Sequence, residues 1–212
     1  SISNSFKNNY GTVIVKHSNP CGVSMNNDKL DSFKNAYYCD PLSSYGGVVA
    51  FNFKINKKLA IEIKKKFFEL VVSKGIDGDA LDILKKKKNL RILDSSNLLE
   101  KGNLQYTSKF NSLLIQSTDT KNFEMKDFKI VSKAKPNTKI LKKLMFAFNI
   151  CRYVKSNAIV LSQNNSTIGI GSGQPSRLDS CEIAIKKMKQ NRKYFKNEDE
   201  IVAASDAFFP FT

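Results

Sequence analysis

Val13-Ile14-Val15-Lys16-His17-Ser18-Asn19-Pro20-Cys21-Gly22 runs from a β-branched apolar stretch into a basic pair and then into Asn-Pro. β-Branched residues in an unbroken apolar run favour a buried strand. Asn-Pro is a turn signal, so the chain is expected to turn there. His17, the only histidine in the sequence, therefore stands at a strand tip. Strand tips that feed loops are where α/β enzymes carry chemistry. An imidazole titrates near neutral pH without special tuning. His17 is the first candidate for proton transfer, with Lys16 a fixed positive charge beside it. An ammonium next to an imidazole favours its neutral, basic form, and it also stabilises a developing oxyanion. The competing reading is a surface histidine with no role.

Outward from this stretch, strands and helices alternate. Strands are expected at 12–16, 48–51, 70–72, 90–93 and 113–116. The short continuous run 70–72 reads as a strand covered on both faces. Helical spacing predicts helices over 28–38, from an Asn56 cap to about Phe67, over 79–84, over 138–154 and, capped by Ser176, over 177–190. The apolar stripe of the 138–154 helix is Leu141, Leu144, Met145, Phe148 and Tyr153. Residues 40–47 read as a loop and 94–110 as a loop or hairpin. Lys129-Ile130-Val131 reads as an edge segment, and 158–161 with 167–170 as a hairpin. The class is α/β, a mixed sheet covered by helices. The polar stretch 117–137 divides the chain into two expected lobes, 1–125 and 126–212.

Composition narrows the function. With 41% hydrophobic residues the chain can bury a substantial core. No run approaches the roughly 18 apolar residues of a membrane span, and the polar start Ser1-Ile2-Ser3-Asn4-Ser5 lacks a secretory signal. The four cysteines form no CxxC pair, which points to a reduced, cytoplasmic protein and against a zinc site. A net charge of +16 admits a nucleic-acid partner. Yet only four of the 35 basic residues are arginine, the residue of specific phosphate recognition. Lysine and asparagine enrichment is also what an AT-rich coding sequence produces.

Four further constellations stand out. Ser43-Ser44-Tyr45-Gly46-Gly47 pairs glycines before a strand, which lets a ligand approach the backbone or simply makes a turn. In Lys155-Ser156-Asn157, Asn157 offers a donor and an acceptor to a substrate, or caps a helix. Gly169-Ile170-Gly171-Ser172-Gly173-Gln174-Pro175-Ser176-Arg177 enters a helix with free amides and a guanidinium, suited to an anion or to a tight turn. It is neither a dinucleotide fingerprint nor a Walker loop. Ser205-Asp206-Ala207-Phe208-Phe209-Pro210-Phe211 can wall a pocket for a flat heterocycle or pack in the core.

In their order along the chain these blocks resemble one family, the AICAR transformylase part of bifunctional purine-biosynthesis proteins. The blocks are Lys-His-x-Asn-Pro-Cys-Gly from Lys16, Asp-Pro-x-Ser-Ser-Tyr-Gly-Gly from Asp40, Lys-Lys-Asn-Leu-Arg-Ile-Leu from Lys87, Lys-Ser-Asn-Ala-Ile-Val from Lys155, and the glycine-rich and aromatic segments above. The resemblance implies a cytidine-deaminase-like fold without the deaminase zinc. It implies transfer of a formyl group from 10-formyltetrahydrofolate, as co-substrate, to the 5-amino group of AICAR, with no metal in the chemistry. It implies a cytoplasmic homodimer with sites at the interface, joined in the full-length family protein to an IMP cyclohydrolase.

By motif match, His17 is similar to the base that deprotonates the amine and Lys16 to the group that stabilises the transition state. Gly46, Glu69 and Asn157 match nucleotide contacts, and Arg177 one that arrives from the partner subunit. Leu178 and Phe208 match folate contacts. Pro175 departs from the family's usual methionine. The sequence starts after the family's Arg-Tyr-Gly-Glu-Asn-Pro segment and stops at Thr212, so it is expected to be a fragment with weak or absent activity alone. The alternatives are a basic nucleic-acid-binding module and a non-catalytic dimerising module.

Overall fold

The computed structural model describes residues 9–97, 104–119, 121, 123–195 and 200–209. β1 (Tyr10–Lys16) and β2 (Asn19–Asn26) form a hairpin, followed by α1 (Lys29–Cys39), the short α2 (Pro41–Ser44) and β3 (Gly47–Phe51). Then come α3 (Lys57–Lys64), β4 (Phe68–Ser73), α4 (Gly78–Lys85) and β5 (Arg91–Asp94). A second hairpin, β6 (Leu104–Lys109) and β7 (Ser112–Ser117), leads to α5 (Thr138–Cys151). The chain ends with β8 (Ile159–Gln163), β9 (Ser166–Gly171), α6 (Arg177–Asn191) and β10 (Val202–Ser205).

Eight strands make one mixed sheet in the order β10-β8-β9-β2-β1-β3-β4-β5, and β6-β7 form a separate two-stranded sheet. Segments before and after the 117–137 stretch share the large sheet, joined where β2 meets β9. Alternation along the strands sorts the core. Ile14 faces Phe33, Leu59, Ile63 and Leu84 under α1, α3 and α4, whereas Val13 faces Phe146, Ala147 and Ile150 of α5 on the other side. Phe33, Phe51 and Phe68 are at most 2% exposed, and each such ring contributes about 1.5–3 kcal/mol of burial. The helices start where capping chemistry allows. Asp28 accepts from the Leu30 and Asp31 amides, Asn56 from Leu59 and Asn137 from Ile140. No helix among the described residues is long and apolar enough to cross a membrane.

Several expectations are corrected. The first turn is made by His17 and Ser18, both left-handed (φ 51° and 63°), immediately before Asn-Pro. Positive φ at both central residues is what a two-residue hairpin requires. Asn19 and Pro20 already belong to β2. The 40–47 loop contains α2, because Asp40 caps it and Pro41 has the φ of a first helical residue. Residues 129–131 form no strand. The buried face of α5 is Lys143, Phe146, Ala147, Ile150 and Cys151, and the expected stripe sits beside it, half-buried. β4 is covered on one face only. Leu70 and Val72, with Val48 and Ala50 of β3, are half-buried on the same sheet face as α5 but beyond its reach.

Candidate active site

Sheet register gathers the sequence-predicted residues at one end. Along that rim the ladder pairs Ser205 with Ile159, Ile159 with Gly171, Asn19 with Lys16, Val15 with Val48, Gly47 with Phe68, and Leu70 with Arg91. Lys16, His17, Gly46, Glu69, Asn157, Arg177, Leu178 and Phe208 all lie on it or within a few residues of it. The parallel strands β3, β4 and β5 reach this rim with their amino ends. That departs from the carboxyl-end rule for open parallel sheets; here the carboxyl ends come from β1, β9 and β10.

His17 is exposed at the tip of the first turn. With Lys16, Asn19, Ser43, Ser172 and Lys187 it lines an open cleft of about 470 Å³. The Lys16 ammonium donates to the Tyr45 carbonyl at 2.7 Å. The next residue, Gly46, has φ +71°, a conformation that glycine adopts without strain. Its amide donates to the Phe67 carbonyl at 3.0 Å, and a Cβ there would lie 3.7 Å from Glu69 Oε1. Lys16, Gly46 and Glu69 are therefore neighbours. Glu69 also borders an adjoining cleft with Phe67, Asn89 and Arg91. Cys21 lies in the His17 cleft, but burial and the Asp40 carboxylate push its thiol up to about 11, which keeps it protonated near neutral pH.

On the other flank, Asn157 Nδ2 donates to the carbonyls of Gln174 (2.9 Å) and Pro175 (2.8 Å), and its Oδ1 accepts from Arg177 at 2.7 Å. Arg177 also donates to Ser205 Oγ at 2.8 Å and pairs with Asp206. Asp206 accepts from the Ser156 hydroxyl and from the Ala158 amide. Burial opposes its charge, yet the bonds from Ser156, Ala158 and Arg177 outweigh that and draw its carboxyl down to about 2. The two flanks are tied together by Asn19, whose Oδ1 accepts from the Lys155 amide at 3.0 Å. Leu178 and Phe208 project 62% and 81% exposed beside this cluster.

A family model described as AICARFT/IMPCHase bienzyme matches residues 1–187. The chain belongs to the AICARFT/IMPCHase bienzyme family. It is 42% identical over 198 residues to the bifunctional purine biosynthesis protein PurH of Petrotoga mobilis, an alignment covering 93% of this chain and 37% of that protein. It is 43% identical over 201 residues to the PurH of Buchnera aphidicola, covering 94% and 38%. The PurH of Prochlorococcus marinus strain AS9601 is likewise 43% identical, over 202 residues and with the same coverage. The chain thus spans a little over a third of the length of these curated relatives.

Within this AICARFT/IMPCHase chain the first two glycines of the glycine-rich block belong to β9 and serve packing. A Cβ on Gly169 would lie 2.2 Å from the Ala184 carbonyl, and one on Gly171 only 1.8 Å from that of Ser180, so both let α6 rest directly on β9. Asp206 went unrecognised as a site residue, because the aromatic residues around it dominate the segment's reading. Asn19 and Lys187 went unrecognised too. Asn19 sits in the Asn-Pro pair, which read as a turn, and Lys187 is one lysine among many. Among the described residues no three His, Cys, Asp or Glu side chains group as metal ligands. Pro210 and Phe211 of the aromatic block lie outside the described residues.

Proposed function

We propose that this chain carries the formyl-transfer site of its family, moving the formyl group of 10-formyltetrahydrofolate to the 5-amino group of AICAR. The observation that carries the reading is the single imidazole. His17 stands at the mouth of a rim cleft, with a lysine before it and Asn19, Ser172 and Lys187 around it. The aromatic amine of AICAR is a weak nucleophile, because its lone pair is delocalised into the heterocycle. As it attacks the formyl carbon, His17 accepts its proton. Lys16 stabilises the negative charge that grows on the formyl oxygen. The tetrahedral intermediate then expels N10 of the folate, which takes up a proton, and FAICAR remains. Gly46, Glu69 and Asn157 hold the nucleotide together with the partner subunit's Arg177, and Leu178 and Phe208 offer an apolar surface to the folate.

The working unit in this reading is a homodimer. The support is apolar surface that one chain leaves open: Val48, Ala50, Leu70 and Val72 on the sheet face beyond α5, and one face of the β6–β7 hairpin. Cys21, Cys39, Cys151 and Cys181 are all unpaired thiols, in keeping with a cytoplasmic setting.

The test is tetrahydrofolate release from this chain with and without AICAR, alongside AICAR binding by calorimetry. AICAR binding is expected, with release that is weak in this chain alone, and kcat falling by on the order of 10²–10⁴-fold in His17→Ala with AICAR still bound. Full turnover in His17→Ala, or a chain that neither binds AICAR nor turns over, overturns the assignment.

A further inference from the structure

Asp40 and Lys187 meet beside the His17 cleft. The Lys187 ammonium lies 2.6 Å from Asp40 Oδ2, and the Asp40 side chain is only 7% exposed. One helical turn further along α6, Asn191 Nδ2 donates to the Cys39 carbonyl at 3.2 Å. Positions four apart share a helix face, so α6 grips the corner between α1 and α2 at two adjacent points. Asp40 is also the N-cap of α2, where its Oδ1 accepts from the Ser43 amide at 3.0 Å. Tyr45 is the C-cap of α2, and the Tyr45 carbonyl is the acceptor of Lys16 Nζ at 2.7 Å. Burial works against the Asp40 charge, but the ion pair with Lys187 and the bonding from Ser43 outweigh it and hold the carboxyl below the usual carboxylate range.

We propose that Lys187 is a positioning residue for Lys16. Through Asp40 it fixes α2, and α2 fixes the carbonyl on which the Lys16 ammonium rests. The proposal rests on the formyl-transfer reading and deepens it, because it assigns Lys187 to turnover and not to nucleotide affinity. Removing Lys187 leaves a buried carboxylate without its counter-ion, a strongly unfavourable state. Asp40 then takes up a proton or draws in water. Either change weakens its hold on the Ser43 amide and loosens α2, and Lys16 loses a fixed acceptor. Misplacement of a reacting group by about 1 Å costs on the order of 10²-fold in rate.

The experiment compares Lys187→Met with the double variant Asp40→Asn/Lys187→Met. Lys187→Met is expected to lower kcat for AICAR-dependent tetrahydrofolate release by on the order of 10²-fold, with KM for AICAR moving less than about threefold. The double variant regains most of the loss, because asparagine still caps α2 and leaves no unpaired charge buried. Wild-type kcat in Lys187→Met overturns the proposal. So does a raised KM that Asp40→Asn fails to restore, the signature of direct contact with the nucleotide.

The lone histidine gives a readout that needs no turnover. Its Cε1 proton resonance requires no assignment, and at fixed pH it is expected to shift in Lys187→Met and return in the double variant. An unmoved resonance counts against the clamp. A shift that returns, in a chain that neither binds AICAR nor releases tetrahydrofolate, removes the formyl-transfer reading and leaves the clamp standing.

Discussion

Asp206 collects bonds from groups far apart in sequence: Ser156 and Arg177, 50 and 29 residues away, and the Ala158 amide between them. Its carboxyl titrates at about 2 in the folded chain, against about 3.9 for a free aspartate. A depressed folded value stabilises the fold fully above the unfolded value and loses that contribution as pH falls through the folded one. Asp206→Asn is therefore expected to lower the melting temperature at pH 7 while flattening its fall between about pH 4 and 2. Melting curves taken across that range check it, and an unchanged acid limb contradicts the assigned network.

Gly171 gives a second residue-scale prediction. A methyl group there collides with the backbone of α6, not with a flexible side chain, so the helix itself must shift. Gly171→Ala is expected to destabilise by about 1–3 kcal/mol, measured by urea unfolding. Lys16 and His17 were legible as a pair, because rarity and a strand ending mark them within one stretch of sequence. Asp206, Asn19 and Lys187 were not, because each acquires its meaning from a partner that only the folded sheet brings close.

At the scale of elements, capping signals read well and strand signals read unevenly. α1, α3 and α6 begin at Asp28, Asn56 and Ser176 as expected, since a cap is decided within a few residues. β2 escaped notice because Asn19, Pro20 and Gly22 argue against a strand, and its pairing on both sides overrides them. The stripe read for α5 is only partly the inward face: Leu144 and Phe148 pack against the core, but the fully buried residues include Phe146, Ala147 and Ile150. Its apolar residues surround most of the helix, so periodicity alone does not select the buried side. The β6–β7 hairpin is amphipathic. Leu104, Tyr106, Leu113 and Ile115 share one face by register, whereas Gln105, Thr107, Lys109 and Gln116 share the other with Leu114. Leu104, Tyr106, Leu113 and Ile115 are all more than half exposed. An apolar face of this kind calls for a partner surface. The double variant Leu113→Lys/Ile115→Lys is expected to sediment as a monomer where the parent sediments as a dimer. A parent that is monomeric, or a variant that stays dimeric, removes the hairpin from the interface.

Across the whole molecule, the rim follows from topology and the charge does not determine the function. One sheet delivers β1, β3 and β4 from the first half and β8, β9 and β10 from the second to a common edge. That convergence is invisible in any single motif, although the order of the motifs along the chain anticipated the family. The +16 charge resides mostly in lysines, many of them on exposed helix ends such as 85–86 and 88 after α4. Solvated lysines spread over a surface bind polyanions weakly and without geometry, since an ammonium is a point charge on a flexible stem. A nucleic-acid-binding module instead concentrates its contacts, and its affinity falls steeply but from a high starting value as salt rises. Filter binding of this chain to a short duplex is therefore expected to be detectable only at low salt, and to vanish near physiological ionic strength. On the proposed function, AICAR is held by neutral hydrogen bonds as well as by an arginine, and its binding is expected to survive the same salt. Tight duplex binding that persists at physiological salt, with loss of AICAR binding, would reverse the functional assignment and make the basic surface the working one.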